Sequence, residues 1–337
     1  MTWAFSAPIH SRLESLVDHL IRYPLLVVGS GGSLSSSHFA ALVHEKMTGK
    51  IAHAITPLEF VFSAVNPAEH AVLFLTAGGG NKDIIDALTK AIQSNYSFIG
   101  IVCAQTNSKI SKIIESYPHV QLFEYPNPAV KDGFLAVNSL LSTCILIARA
   151  YKALDLRNNF LESLLRIDPV FDTDTWNSVL QRQTIVALGA GWAWPALVDL
   201  ESKFSEAGLG SILLTDFRNF AHGRHNWFDK KGDESSLLVL ETPSLTLLCR
   251  KTAGLLPAKY PKAILSSHVD GPQACLHFYI QIFHLVNEVG KRQNIDPGKP
   301  SVAEFGRKLY HLGISPAISI QPVENKWAGK YRASGDQ

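Results

Sequence analysis

Residues 25–47 read Leu-Leu-Val-Val-Gly-Ser-Gly-Gly-Ser-Leu-Ser-Ser-Ser-His-Phe-Ala-Ala-Leu-Val-His-Glu-Lys-Met, and the order of residue types in this stretch decides the fold class. Leu25 to Val28 form an unbroken apolar run, which is the pattern of a strand covered on both faces. Gly29 closes the run. Phe39, Leu42, Val43 and Met47 then recur at helical spacing. A doubly buried strand, a glycine-rich turn and a helix are the opening of a parallel α/β sheet.

Outward from this unit the alternation continues. The sequence predicts a helix over 10–22 and further strands over 51–55, 71–75, 98–102 and 120–123. Helices are expected over 81–94 and 109–116, and a long apolar one over 130–154. Five parallel strands with helices between them make a flavodoxin-like, doubly wound sheet. After a mixed stretch, 155–176, expected to be a linker with one helix, the cycle restarts. Strands are predicted over 184–188, 211–214, 236–240 and 263–265, with helices over 195–207 and 272–289. The expectation is therefore α/β, with two tandem flavodoxin-like domains, 1–160 and 161–337. Each is a parallel sheet flanked by helices, and the second ends in a C-terminal tail.

Composition is consistent with two cores. Of 337 residues, 46% are hydrophobic and 18% charged. A formal charge of +2 provides no basic field for a nucleic-acid backbone. Cys103, Cys144, Cys249 and Cys275 each sit alone in an apolar run, which implies a reducing, cytoplasmic setting without disulfides or metal knuckles. The N-terminus lacks a signal-peptide pattern. The most apolar segment, 134–150, is interrupted by Asn138 and Arg149, so no membrane span is expected.

Two turns at strand ends carry candidate ligand contacts. The first is Gly29-Ser30-Gly31-Gly32-Ser33, where backbone amides and the Ser33 hydroxyl suit an anion. The same residues equally fit a plain strand-to-helix turn. The second is Thr76-Ala77-Gly78-Gly79-Gly80-Asn81. Neither is a nucleotide P-loop, and position 34 is leucine, so the dinucleotide pattern is incomplete. In the second half, Gly189, Gly191 and Pro195 open a helix that carries Lys203 and Glu206, and a His222-Gly223 pair follows.

With these motifs the chain resembles the sugar isomerase (SIS) family, most of all the tandem isomerase half of glucosamine-6-phosphate synthase and its deaminase and deglycase relatives. The family's Gly-x-Gly-x-Ser turn stands at Gly31 and Ser33. Its Ser-x-Ser-Gly-x-Thr phosphate loop stands, altered, at Thr76, Gly78, Gly79 and Asn81. Its Thr-Lys-x-Phe segment is partly kept around Lys131, and its Lys-x-x-Glu and His-Gly pairs stand at Lys203, Glu206 and His222. The resemblance implies a sugar-phosphate or amino-sugar isomerase, deaminase or deglycase without metal or other cofactor. It also implies a homodimer in which the histidine reaches the partner's site.

The residue types suit that chemistry. A carboxylate at Glu206 shuttles the proton of an enediol or enediolamine, His222 opens the ring, and Lys203 neutralises the enediol oxygen. Lys203 and Glu206 read alone also fit a surface ion pair on one helix. Arg224 and His225 would read the ligand, or else belong to a solvated turn anchored by Trp227 and Phe228. Where the family's tail supplies a lysine, this chain has Glu304. That departure, with the altered loop, leaves open a regulatory protein that binds a sugar without converting it.

Overall fold

The computed structural model describes residues 1–7, 11–128, 132–154 and 160–314. Two all-parallel sheets organise them. The first has the order β2 (Ala52–Ile55), β1 (Leu25–Val28), β3 (Ala71–Thr76), β4 (Phe98–Cys103), β5 (Val120–Glu124). The second runs β7 (Ser211–Thr215), β6 (Thr184–Leu188), β8 (Ser235–Glu241), β9 (Lys262–Ser266). β1, β3, β4 and β8 are buried along their whole length, as apolar runs without alternation predict. The pairing of Leu25 with Ala52 recurs as Ile185 with Ile212, each partner displaced equally along the chain. The second sheet thus repeats the first in order and register, one strand shorter.

The helices Gly32–Thr48 and Trp194–Ala207 pack against each other between the sheets, joined by Asn138–Ala150 and Pro272–Gln293. One apolar cluster runs through all four and reaches both sheets. Separate clusters cover the outer face of each sheet. Several polar groups caught in the shared layer find partners, although His277 Nδ1 and Gln281 Oε1 do not. Tyr279 donates its hydroxyl to the Ser35 carbonyl at 3.0 Å, and His44 lies between the Tyr151 hydroxyl at 2.9 Å and the Tyr23 carbonyl at 3.0 Å. Burial pushes the His44 pKa down to about 4, so the ring is neutral here. All four cysteines are buried and unpaired. Among the described residues no helix is long and apolar enough to cross a membrane.

The structure corrects three local expectations. The long helix of the first half starts at Asn138 and not at 130, because Asp132 turns its carboxylate onto the helix end. Asp132 accepts from the Asn138 and Ser139 amides at 2.8 and 2.9 Å and from the Ser139 hydroxyl at 2.7 Å. Met47, expected on the apolar face, is 42% exposed in the last turn of its helix, which a left-handed Gly49 closes. The stretch after 155 holds two helices, Phe160–Leu165 and Asp174–Leu180, the second capped by Thr173.

Candidate active site

The carboxyl ends of β1, β3 and β4 open onto one crevice, the expected place for a ligand in such a sheet. After β1, Gly31 adopts φ +53°, and a side chain on Gly32 would stand 2.4 Å from the Ala136 Cβ. The first turn therefore lies directly against the loop before the Asn138 helix. After β3, the Thr76 hydroxyl accepts the Gly79 amide at 3.1 Å and folds the second turn on itself. Gly79, at φ +61°, has no room for a Cβ, which would meet Ser108 at 2.7 Å. Between the second turn and the loop before the Asn138 helix is a cavity of about 520 Å³ whose lining includes Gly78, Gln105, Asp132, Phe134, Ala136 and Ser139. Gln105 points its carbonyl oxygen to within 3.5 Å of where a Gly78 side chain would begin, the position at which the resembled loop has serine.

Glu206 comes to the first turn from the other half of the chain. Its Oε1 lies 4.0 Å from the Cβ position of Gly31, so the carboxylate overhangs the first turn. The Ser202 hydroxyl donates to it at 2.5 Å. Partial shielding by its neighbours raises the Glu206 pKa above the ordinary glutamate value, although the side chain is exposed in this chain. The Ser202 bond and the Lys203 charge pull against that rise. A carboxyl group poised in this way can accept a proton from carbon and return it.

Lys203 is placed differently from expectation. It makes no ion pair with Glu206. Its Nζ lies 2.6 Å from Asp199 Oδ1, and the two side chains are 3% and 0% exposed. Burial raises the Asp199 pKa, while the Lys203 charge and the Ser35 hydroxyl hold it back. The ammonium also stands 5.0 Å from the Phe283 ring and borders a second cavity, of about 340 Å³, with Asp132, Asn138, Asn287 and Asp296. Lys203 thus borders the second cavity with its charge already engaged.

Asn81 is engaged at the start of its own helix. Its Oδ1 accepts the Ile84 amide at 3.1 Å and caps the helix Lys82–Gln93, while its Nδ2 donates to the Tyr310 hydroxyl at 3.4 Å. Asn81→Ala is expected to lower stability by about 1 kcal/mol, the usual worth of such a cap, and to leave ligand affinity unchanged. Chemical denaturation and a binding titration on the same variant check both halves of that statement.

His222, Arg224 and His225 do not join the crevice within one chain. They occupy an exposed turn after β7, opened by Asp216, which accepts the Arg218 and Asn219 amides at 2.7 and 2.9 Å. The backbone widens over Phe220–Arg224, and Gly223 takes φ +124°. His225 Nδ1 lies 3.2 Å from the Phe220 carbonyl, while the His222 and Arg224 side chains face solvent. Lys131 lies outside the described residues. Gly31, Ser33, Thr76 and Gly78 stand at the two turns as the sequence placed them.

Sequence reading missed Gln105, the capping role of Asp132 and the return of the tail. The Gly298 carbonyl accepts the Phe134 amide at 2.9 Å, and a Cβ on Gly133 would lie 2.8 Å from that oxygen. The Asp132-Gly133 and Asp296-Pro297-Gly298 turns were the available signals. Among the described residues, no group of three His, Cys, Asp or Glu side chains could hold a metal ion.

No family model matches the sequence, and no curated protein does either. Solved structures share the fold at low identity. The tagatose-6-phosphate ketose/aldose isomerase of Escherichia coli superposes with a TM-score of 0.67 at 16% identity, over 89% of this chain and 90% of that one. The glucosamine-6-phosphate deaminase of Thermotoga maritima gives 0.64 at 14%, over 90% and 96%. The C-terminal domain of glucosamine-fructose-6-phosphate aminotransferase from Francisella tularensis gives 0.59 at 13%, over 83% and 88%. These likenesses establish the architecture of two parallel sheets flanked by helices.

Proposed function

We propose that this chain is an enzyme of sugar-phosphate or amino-sugar chemistry, an aldose–ketose isomerase or a deaminase or deglycase, with Glu206 as its proton shuttle. The observation that carries the reading is the Glu206 carboxylate, with its raised pKa, overhanging the glycine turn at Gly31. Glu206 takes the proton from the carbon beside the carbonyl or imine. The resulting enediol or enediolamine then accepts it back at the neighbouring carbon. The two turns, with Ser33 and Thr76, hold the far end of the sugar through amides and hydroxyls. The solved structures of similar fold that act on tagatose 6-phosphate and glucosamine 6-phosphate support this substrate class.

In this reading the chain is two repeats, 1–160 and 161–337, and works as a homodimer in the cytoplasm. His222 and Arg224, which face solvent in their own chain, are presented to the crevice of a second copy. A second reading, a sugar-binding regulator without turnover, is favoured by the engaged state of Lys203 and Asn81.

A thermal-shift panel of sugar phosphates, free amino sugars and nucleotide sugars, followed by turnover assays on whatever binds, separates the two. Stabilisation confined to sugar phosphates or amino-sugar phosphates with turnover supports the enzyme. Stabilisation without turnover supports the regulator, and stabilisation by nucleotide sugars alone removes both. Ser33→Ala is expected to weaken the stabilising ligand several-fold, because it deletes one hydroxyl of the cup. Unchanged affinity would place the anion elsewhere.

A further inference from the structure

Free backbone amides at turns and helix starts are what a phosphate uses at the end of a parallel sheet. Around the second turn the chain fills those positions from within. The Gly79 amide is taken by the Thr76 hydroxyl at 3.1 Å. After β4, the Asn107 and Ser108 amides both go to the Glu124 carboxylate at 3.0 Å. The Asn138 and Ser139 amides, which open their helix, go to Asp132, and the Ile84 amide goes to Asn81. Side chains of the same chain thus stand where an anion would.

Charge points the same way. Asp132 lines both the 520 Å³ cavity beside Gly78 and the 340 Å³ cavity beside Lys203. Burial pushes its pKa up, but the bonds from Ser139 and Asn138 outweigh this and hold it below the ordinary aspartate value, so it stays ionised. Among the described residues no lysine, arginine or histidine lines the larger cavity. Lys82, next after the second turn, donates to the Leu312 carbonyl at 3.4 Å, and Lys203 at the smaller cavity is paired with Asp199. A phosphate entering here meets a fixed negative charge without a described counter-charge, and such repulsion is how a site rejects a ligand. An ammonium group meets the opposite. Sugar hydroxyls find the Gln105 carboxamide beside Gly78, which offers both a donor and an acceptor.

We propose that the substrate of this crevice is an amino sugar that carries no phosphate, and that Asp132 is the residue that turns phosphorylated sugars away. Asp132 draws the ammonium, and Gln105 bonds hydroxyls at the position where the resembled loop has serine. The inference rests on the reading of the crevice as a sugar site and selects among the substrates that reading allows.

Calorimetric titration of the full chain with glucosamine, galactosamine and mannosamine, each against its 6-phosphate, tests it. At least one free amino sugar is expected to bind about tenfold or more tightly than its 6-phosphate. Asp132→Asn removes the charge and keeps an oxygen for one helix amide, and is expected to cut that preference about fivefold or more. Gly78→Ser leaves Asp132 in place, and its side chain would meet Gln105 at an ordinary 3.5 Å. Alone it is expected to leave the 6-phosphate excluded, and with Asp132→Asn to admit it. A 6-phosphate that binds the parent more tightly than the free sugar overturns the inference, and Lys131→Ala or Arg224→Ala then identifies the cation that holds it. An unchanged preference in Asp132→Asn, or a 6-phosphate admitted by Gly78→Ser alone, removes Asp132 from selection and overturns it too. So does the absence of saturable binding by all three free amino sugars. The function itself falls on a different result, a thermal-shift panel in which no sugar or sugar phosphate stabilises the chain.

Discussion

Glu206→Gln is expected to lower kcat by about 10²–10⁴-fold with ligand affinity retained, the range that removal of a general acid–base group produces. Glutamine keeps the shape of the side chain and can still accept the Ser202 hydroxyl, so the crevice around Gly31 stays formed. What disappears is the proton acceptor. The pH profile gives a second readout. Partial desolvation raises the Glu206 pKa, so the acid limb of kcat/KM in the parent protein is expected above the ordinary glutamate range, with activity rising as pH increases through it. Ser202→Ala removes a bond that opposes the rise and is expected to move that limb further up. The same shift bears on stability with a definite sign. A carboxyl whose folded pKa is raised favours the folded state below its unfolded pKa, and that contribution is lost as pH rises through the folded value. A Glu206→Gln enzyme with parental turnover on its own substrate removes the carboxylate from the mechanism.

The nine strands of the described residues were legible from short, mainly apolar runs, most plainly at β1, β3 and β4, where doubly buried strands carry no competing signal. The internal repeat was legible at the level of order. Its register, with Leu25 on Ala52 and Ile185 on Ile212, required coordinates. The spacing from the first glycine of each half also recurs. Lys46 stands as far from Gly29 as Glu206 does from Gly189, and its ammonium lies 5.7 Å over the Trp192 ring and 3.1 Å from the Cβ position of Gly271. The end of one central helix thus reaches the opposite half in each case, with lysine on one side and glutamate on the other. The site was legible where backbone decided it, at Gly31, Thr76 and Gly78. It was not legible where side chains choose among partners. Spacing put Lys203 and Glu206 on one helix but could not show that Lys203 turns back to Asp199, nor that Asn81 serves the helix it begins.

Lys203→Met is expected to destabilise the protein by about 3–5 kcal/mol at neutral pH, because it leaves a buried Asp199 without its counter-charge. Asp199 must then be protonated to stay inside, so its folded pKa rises beyond its present raised position. The sign follows from linkage. The loss is smallest near the unfolded aspartate pKa and grows as pH increases towards the folded one. Denaturation at pH 5 and at pH 7.5 checks this, and a Lys203→Met variant equally stable at both would refute the structural role. The double variant Asp199→Leu, Lys203→Met removes both charges and is expected to recover most of the stability, since an apolar replacement of a buried pair is often neutral. That variant also isolates chemistry from folding. If Lys203 only neutralises Asp199, the refolded double variant retains turnover. If its ammonium, bordering the cavity shared with Asp132 and Asn138, shifts towards the developing oxyanion during the reaction, the double variant folds, binds ligand and turns over at least tenfold more slowly.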